Sequence, residues 1–171
     1  MNDTVPNIEP LFDLASLKLS DLPDSFYPDE KTEKKDDEKF VVFFLDDELF
    51  AVAASQVAEV IRPLTFTSLP NSPAWLYGIA NLRGEIVSVL NLSKLCDKKP
   101  LPFSSKSKII VLKPKNFASS IAFPVDRLSE IITLKPENIQ PAEDFYAFGK
   151  TVHETNSVIL LDTERLFSSL L

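Results

Sequence analysis

From residue 40 onward the chain alternates short apolar runs with polar turns. Residues 40–45 and 108–112 are almost continuously apolar and rich in aromatic or β-branched side chains, as buried strands are. Shorter runs at 50–52, 58–61, 79–82 and 85–90 predict further strands, with counterparts later in the chain. Leu82-Arg83-Gly84-Glu85 predicts a tight hairpin in which Gly84 supplies the unusual backbone angles. In Ser72-Pro73-Ala74-Trp75-Leu76-Tyr77-Gly78, a cap residue, a first-turn proline and a terminal glycine predict a single helical turn. Asn91 and Asp162 stand as N-caps before two short helical stretches, Ser93-Lys94-Leu95-Cys96 and Glu164-Arg165-Leu166-Phe167.

These elements occur twice. An offset of 71 residues carries Glu59 onto Glu130, Pro70 onto Pro141, Trp75 and Tyr77 onto Tyr146 and Phe148, and Gly78 onto Gly149. It also carries Val87-Ser88-Val89-Leu90-Asn91 onto Val158-Ile159-Leu160-Leu161-Asp162. A repeat held through apolar, aromatic, Pro and Gly positions implies a duplicated unit. Each copy, about 65 residues, is marginal for independent stability, so the two are expected to share apolar surface. The expectation is a mainly β protein of two packed small barrels, from units of roughly 40–107 and 108–171, with a groove between them.

Charge separates the first 39 residues from the rest. They hold eleven Asp or Glu against five Lys, whereas the whole chain of 171 residues has a formal charge of −7, so residues 40–171 are nearly neutral. Such a composition buries too little surface to offset ordering entropy, and 1–39 reads as an acidic, largely disordered leader. Leu11, Phe12, Leu14, Leu17 and Leu19 within it suit either a short helix that docks on a partner or an adhesive disordered stretch. The negative charge opposes nucleic-acid binding, and no apolar run approaches the ~18 residues of a membrane span. The chain is therefore expected to be cytoplasmic, without membrane insertion.

Candidate chemistry is sparse. One cysteine, Cys96, and one histidine, His153, offer neither a disulfide nor a thiol and imidazole metal site. Three scattered glycines make no phosphate cradle, so no cofactor or metal is expected. Asp126, Glu130 and Asp162 are the carboxylates an acid and base pair would use, but capping explains Asp162 more simply and its repeat partner, Asn91, completes no dyad. His153 reads as a surface loop residue and Cys96 as a small buried apolar one. Lys106, Lys108, Lys113 and Lys115 read as a solvated edge. The copies differ where Asn81-Leu82-Arg83-Gly84 faces Val152-His153-Glu154-Thr155. Arg83 offers an always-charged fork for a carboxylate, with Glu59 as a nearby partner; a pair that pins the hairpin and a binding role are equally compatible with the spacing.

Gly78-Ile79-Ala80-Asn81-Leu82-Arg83-Gly84-Glu85-Ile86-Val87 closely resembles the most recognisable motif of the CheW-like domain, the coupling module of bacterial chemosensory systems. Val57-Ala58-Glu59-Val60-Ile61, Leu69-Pro70-Asn71-Ser72-Pro73, Val125-Asp126-Arg127-Leu128-Ser129-Glu130 and the C-terminal Ile159-Leu160-Leu161-Asp162-Thr163-Glu164-Arg165-Leu166 fit the same family, over about 40–171. The resemblance implies two SH3-like five-stranded barrels and a non-catalytic adaptor without cofactors. Its implied partners are a methyl-accepting chemoreceptor and a CheA-type histidine kinase, placing it at membrane receptor clusters. It also implies partner binding through Val57, Glu59, Val60, Asn81, Leu82, Arg83 and Gly84. Ser88 departs from a common proline, Asn91 from a common aspartate, and Phe123-Pro124 is unusual before Val125-Asp126. The leader lies outside the resemblance and points to a specialised system, such as one steering pilus-driven or light-directed movement. With no kinase motif in the sequence, the chain is expected to act as a stand-alone adaptor. The rival class is an enzyme or small-molecule sensor using the inter-barrel groove.

Because the leader lies outside the repeat, cutting after Glu38 is expected to leave the melting transition nearly unchanged. Loss of cooperative unfolding would mean that the leader is part of the packed fold.

Overall fold

The computed structural model describes residues 16–17, 37–99, 107–114 and 119–170. Most of the leader, with its expected disorder, and Lys106 and Lys115 lie outside the described residues, whereas Leu17, expected in a docking helix or an adhesive disordered stretch, is a strand residue. The order is β1 (Ser16–Leu17), β2 (Glu38–Leu45), β3 (Glu48–Ala53), β4 (Val57–Ile61), β5 (Leu76–Leu82), β6 (Glu85–Leu90), α1 (Leu92–Leu95), β7 (Lys108–Leu112), β8 (Ile121–Val125), β9 (Arg127–Leu134), β10 (Gln140–Pro141), β11 (Ala147–His153), β12 (Asn156–Leu161) and α2 (Thr163–Ser168). The fold is mainly β and SH3-like, in two sheets. Sheet I runs β1-β4-β7-β8-β6-β5 and sheet II runs β10-β11-β12-β3-β2-β9. Each has five strands of five to eight residues and one strand of two.

The sheets do not coincide with the sequence halves, which corrects the expectation of one barrel from each of 40–107 and 108–171. The β2–β3 hairpin of the first half lies in sheet II, antiparallel to β9 and parallel to β12. Reciprocally, the β7–β8 hairpin of the second half lies in sheet I, antiparallel to β4 and parallel to β6. Through the exchange, β7 takes up one edge of β4 and β2 one edge of β9.

The repeat survives in fine geometry. Bulges fall at matched places, between Leu76 and Gly78 in β5 and between Ala147 and Gly149 in β11. Asn91 Oδ1 accepts from the Lys94 amide at 3.1 Å, and Asp162 Oδ1 from the Arg165 amide at 2.9 Å, so both predicted N-caps form. The helical turn expected around Ser72 does not. Leu76 N–H donates to the Pro73 carbonyl at 2.9 Å in an isolated turn, and β5 begins there. Gly78 is a strand residue at φ 149°, where a Cβ would stand 2.1 Å from the Thr67 carbonyl oxygen. Its missing side chain admits the loop whose Thr67 pairs with Ile79 on the outer edge of β5.

Alternation along β2 and β7 explains their unbroken apolar runs. Phe40 and Val42 face the interior of sheet II, while Val41, Phe43 and Leu45 join a core shared with sheet I. Ile109 and Val111 face the interior of sheet I, while Ile110 and Leu112 meet that same shared core. Within residues 40–45 and 109–112 both faces are almost wholly buried, and these runs carry no polar residue. Phe43, 0% exposed, stands at the centre with ring centroids 6.2 Å from Phe50 and 5.8 Å from Phe123, the latter contributed by sheet I. Leu92 and Cys96 around α1, and Leu166 and Phe167 of α2, close the ends of this layer.

Phe43→Ala should therefore destabilise the protein by about 3–5 kcal/mol. Denaturant titration followed through Trp75 fluorescence and far-ultraviolet circular dichroism should give one coincident transition for parent and variant alike. Separate transitions for the two sheets would contradict a shared core.

Candidate partner-binding site

On β4, Val57, Glu59 and Ile61 are buried while Ala58 is exposed. A register shift between Val57 and Glu59 turns the strand, so Val57 joins the shared core whereas Ile61 packs inside sheet I. Glu59 occupies this otherwise apolar strand with only 9% of its surface exposed. A carboxylate so placed requires a cation, and Arg83 supplies it: Nη2 lies 3.0 Å from Glu59 Oε2. The contact is ionic; Oε2 accepts no aligned hydrogen bond.

The β5–β6 turn delivers that guanidinium. Arg83 at φ 53° and Gly84 at φ 92° both take left-handed conformations, the pairing that lets a two-residue turn follow the twist of its strands. Gly84 N–H donates to Asn81 Oδ1 at 2.9 Å, bracing the turn. A Cβ on Gly84 would touch nothing within 4 Å, so only backbone conformation demands glycine there. Because β4 and β5 lie towards opposite ends of sheet I, the ion pair draws its two edges together.

The seven residues singled out from the sequence fall into different environments. Glu59, Asn81, Arg83 and Gly84 form the turn and its anchor. Leu82 is half-buried against the interior of sheet I, and Val60 is half-buried against the shared core. Val57 is buried, so its side chain supports the surface from within. Ile86 was not among them; it pairs with Asn81 across the hairpin and is 64% exposed. Its signal in the sequence was an apolar residue between the polar turn and the buried Val87.

The second copy holds a related contact. Glu130 Oε2 lies 3.3 Å from His153 Nε2, with Val152 67% exposed beside it; the histidine expected in a loop is instead the last residue of β11, facing a carboxylate. Glu154 takes the position and the left-handed conformation of Arg83, at φ 54°. The remaining candidate groups have structural partners. Asp126 Oδ2 accepts from the Asp46 amide at 2.9 Å, holding the β2–β3 turn, and Asp162 caps α2. Cys96 is buried, and burial pushes its thiol up to about 12. Among the described residues no cluster of His, Cys, Asp or Glu is arranged to hold a metal ion. Apolar side chains of both sheets pack together where the inter-barrel groove was expected.

A model of the CheW-like domain matches residues 39–171. The chain belongs to the CheW-like domain family. It is 28% identical to a probable chemotaxis protein CheW of Rhizobium etli, over 81% of this chain and 92% of that protein. It is also 28% identical to the chemotaxis protein CheW of Treponema pallidum, over 78% and 85% of the two chains. The crystal structure of the scaffolding protein TtCheW from Thermoanaerobacter tengcongensis superposes with a TM-score of 0.69, at 28% identity, covering 76% of this chain and 92% of that one. The match begins at the start of β2, so the leader, β1 included, stands outside the CheW-like domain.

Arg83→Ala should cost about 1–2 kcal/mol, because it strands a buried carboxylate, yet less than loss of a fully buried pair since Arg83 is half-exposed. Chemical denaturation measures this directly. Cys96 gives a pH test: its folded value exceeds its ordinary 9.0, so its contribution to stability is complete below about pH 9 and lost as pH rises towards about 12. The fall in melting temperature across that window should be smaller in Cys96→Ala.

Proposed function

We propose that this CheW-like protein is a non-catalytic adaptor that couples a methyl-accepting chemoreceptor to a CheA-type histidine kinase at membrane receptor clusters. The observation that carries the reading is Arg83. A half-exposed guanidinium is presented by a rigid turn, anchored on a buried glutamate and flanked by exposed Asn81 and Ile86. Such a surface combines a planar charged donor with apolar area, the composition of an interface centre. Glu59, Val60, Leu82 and Gly84 hold and shape it, with Val57 beneath. The relatives named as chemotaxis and scaffolding proteins agree with coupling by binding alone. Among the described residues no helix is long and apolar enough to cross a membrane, so this reading places the adaptor on its receptors through protein contacts. The acidic leader, outside the family match, supports a specialised system, such as pilus-driven or light-directed movement.

Arg83→Glu puts a second carboxylate opposite Glu59 and removes the donor. A desolvated Arg at an interface centre commonly contributes ~2 kcal/mol or more, so capture of the kinase's regulatory domain or of a receptor signalling tip should weaken at least ~30-fold. Titration against both, beside thermal melting, separates binding from folding. Unchanged affinity for both partners would remove Arg83 from the coupling surface, whatever the melting curve.

A further inference from the structure

We infer that the leader is an intramolecular competitor for the coupling surface, acting as a strand added to the outer edge of β4. The inference rests on the coupling role of the Glu59–Arg83 region proposed above. β4 is hydrogen-bonded to β7 on one side, and β1 occupies the other, antiparallel, with Ser16 opposite Ile61 and Leu17 opposite Val60. An open strand edge is a row of unpaired donors and acceptors that takes up an extended segment through its backbone. Here that segment comes from the same chain, and it lands on the residue next to Glu59.

Three features favour this occupant. Leu17 lies within Leu14-Ala15-Ser16-Leu17-Lys18-Leu19, where leucines recur between small or polar residues, a pattern suited to strand addition. Charge is complementary: the first 39 residues hold eleven acids against five lysines, while the receiving edge leads into exposed Arg62 and lies beside half-exposed Arg83. Proximity is built in, because 20 residues separate Leu17 from Glu38, and a tether of that length gives an effective concentration on the order of millimolar. A two-residue pairing too weak to hold between separate molecules is thereby sustained within one. A partner approaching β4 and the Arg83 turn must displace β1, so the leader sets the apparent affinity without touching the partner.

The test uses the full chain carrying Ser16→Pro and Leu17→Pro, which remove two backbone donors and are incompatible with a ladder. Amide hydrogen exchange at the one of Val60 and Ile61 whose N–H points towards β1 reads the strand directly, with no partner present, and the other, pointing towards β7, is the internal control. Titration with the regulatory domain of a CheA-type kinase reads competition, and full-length Arg83→Glu is titrated alongside. Exchange at the β4 edge is expected to quicken about tenfold in the proline variant, and the kinase domain to bind about 3–10-fold more tightly, as expected when a mostly occluded surface is released. Unchanged exchange would overturn the added strand. Protection that rises with protein concentration would overturn pairing within one chain, since it would place the leader on a second copy. Faster exchange with unchanged or weaker kinase binding would overturn competition alone, provided Arg83→Glu still loses affinity. If Arg83→Glu also binds normally, the coupling surface itself is misassigned.

Discussion

The structure depends on one apolar layer between the two sheets. β2 and β7 are buried on both faces and contribute to three cores at once, two inside the sheets and one between them. Burial of this kind is roughly proportional to apolar area removed from water, and a unit of about 65 residues is marginal by itself. Exchange of the β2–β3 and β7–β8 hairpins ties the two sheets into one another through the covalent chain. The ring of Phe43 from sheet II against Phe123 from sheet I marks the centre of that dependence.

A rigid scaffold leaves the hairpin turns as the places where the copies are free to diverge. In sheet I the turn presents Arg83 over a nearly buried Glu59; in sheet II the equivalent glutamate, Glu130, is exposed and meets His153. Arg83 and Glu154 are both left-handed, but the second turn residue differs: Gly84 is left-handed at φ 92° and its counterpart Thr155 is not. The two turns thus differ in charge and in the conformation of their second residue. A burial-anchored guanidinium costs little further side-chain entropy on binding, because the ion pair already restrains it.

The same economy explains the scarcity of chemistry. The carboxylates at Asp126 and Asp162 satisfy backbone amides, and the thiol of Cys96 is enclosed in the shared layer. What the surface offers is shape and charge, which suits a member of a family whose named relatives are chemotaxis and scaffolding proteins. Strand edges extend that repertoire. Once β4 accepts a segment of its own leader, the backbone ladder joins the side chains as a means of recognition.

Local features are legible in the amino-acid sequence itself. The strand at residues 40–45, the Leu82-Arg83-Gly84-Glu85 hairpin and the caps at Asn91 and Asp162 depend on residues within a few positions of each other, and the offset of 71 needs only self-comparison. The Glu59–Arg83 pairing is legible as an option because an always-charged fork and a carboxylate stand in the same copy of the repeat. Tertiary structure alone decided which hairpin entered which sheet, since a strand apolar on both faces pairs equally well with either half. It also decided that Gly78 serves a close approach by the Thr67 carbonyl and not a helix end, that Val57 turns inward while Ile86 stays exposed, and that His153 meets Glu130. Each of these depends on chain segments brought together from a distance, and residue type records a preference for burial or conformation without naming the neighbour that will satisfy it.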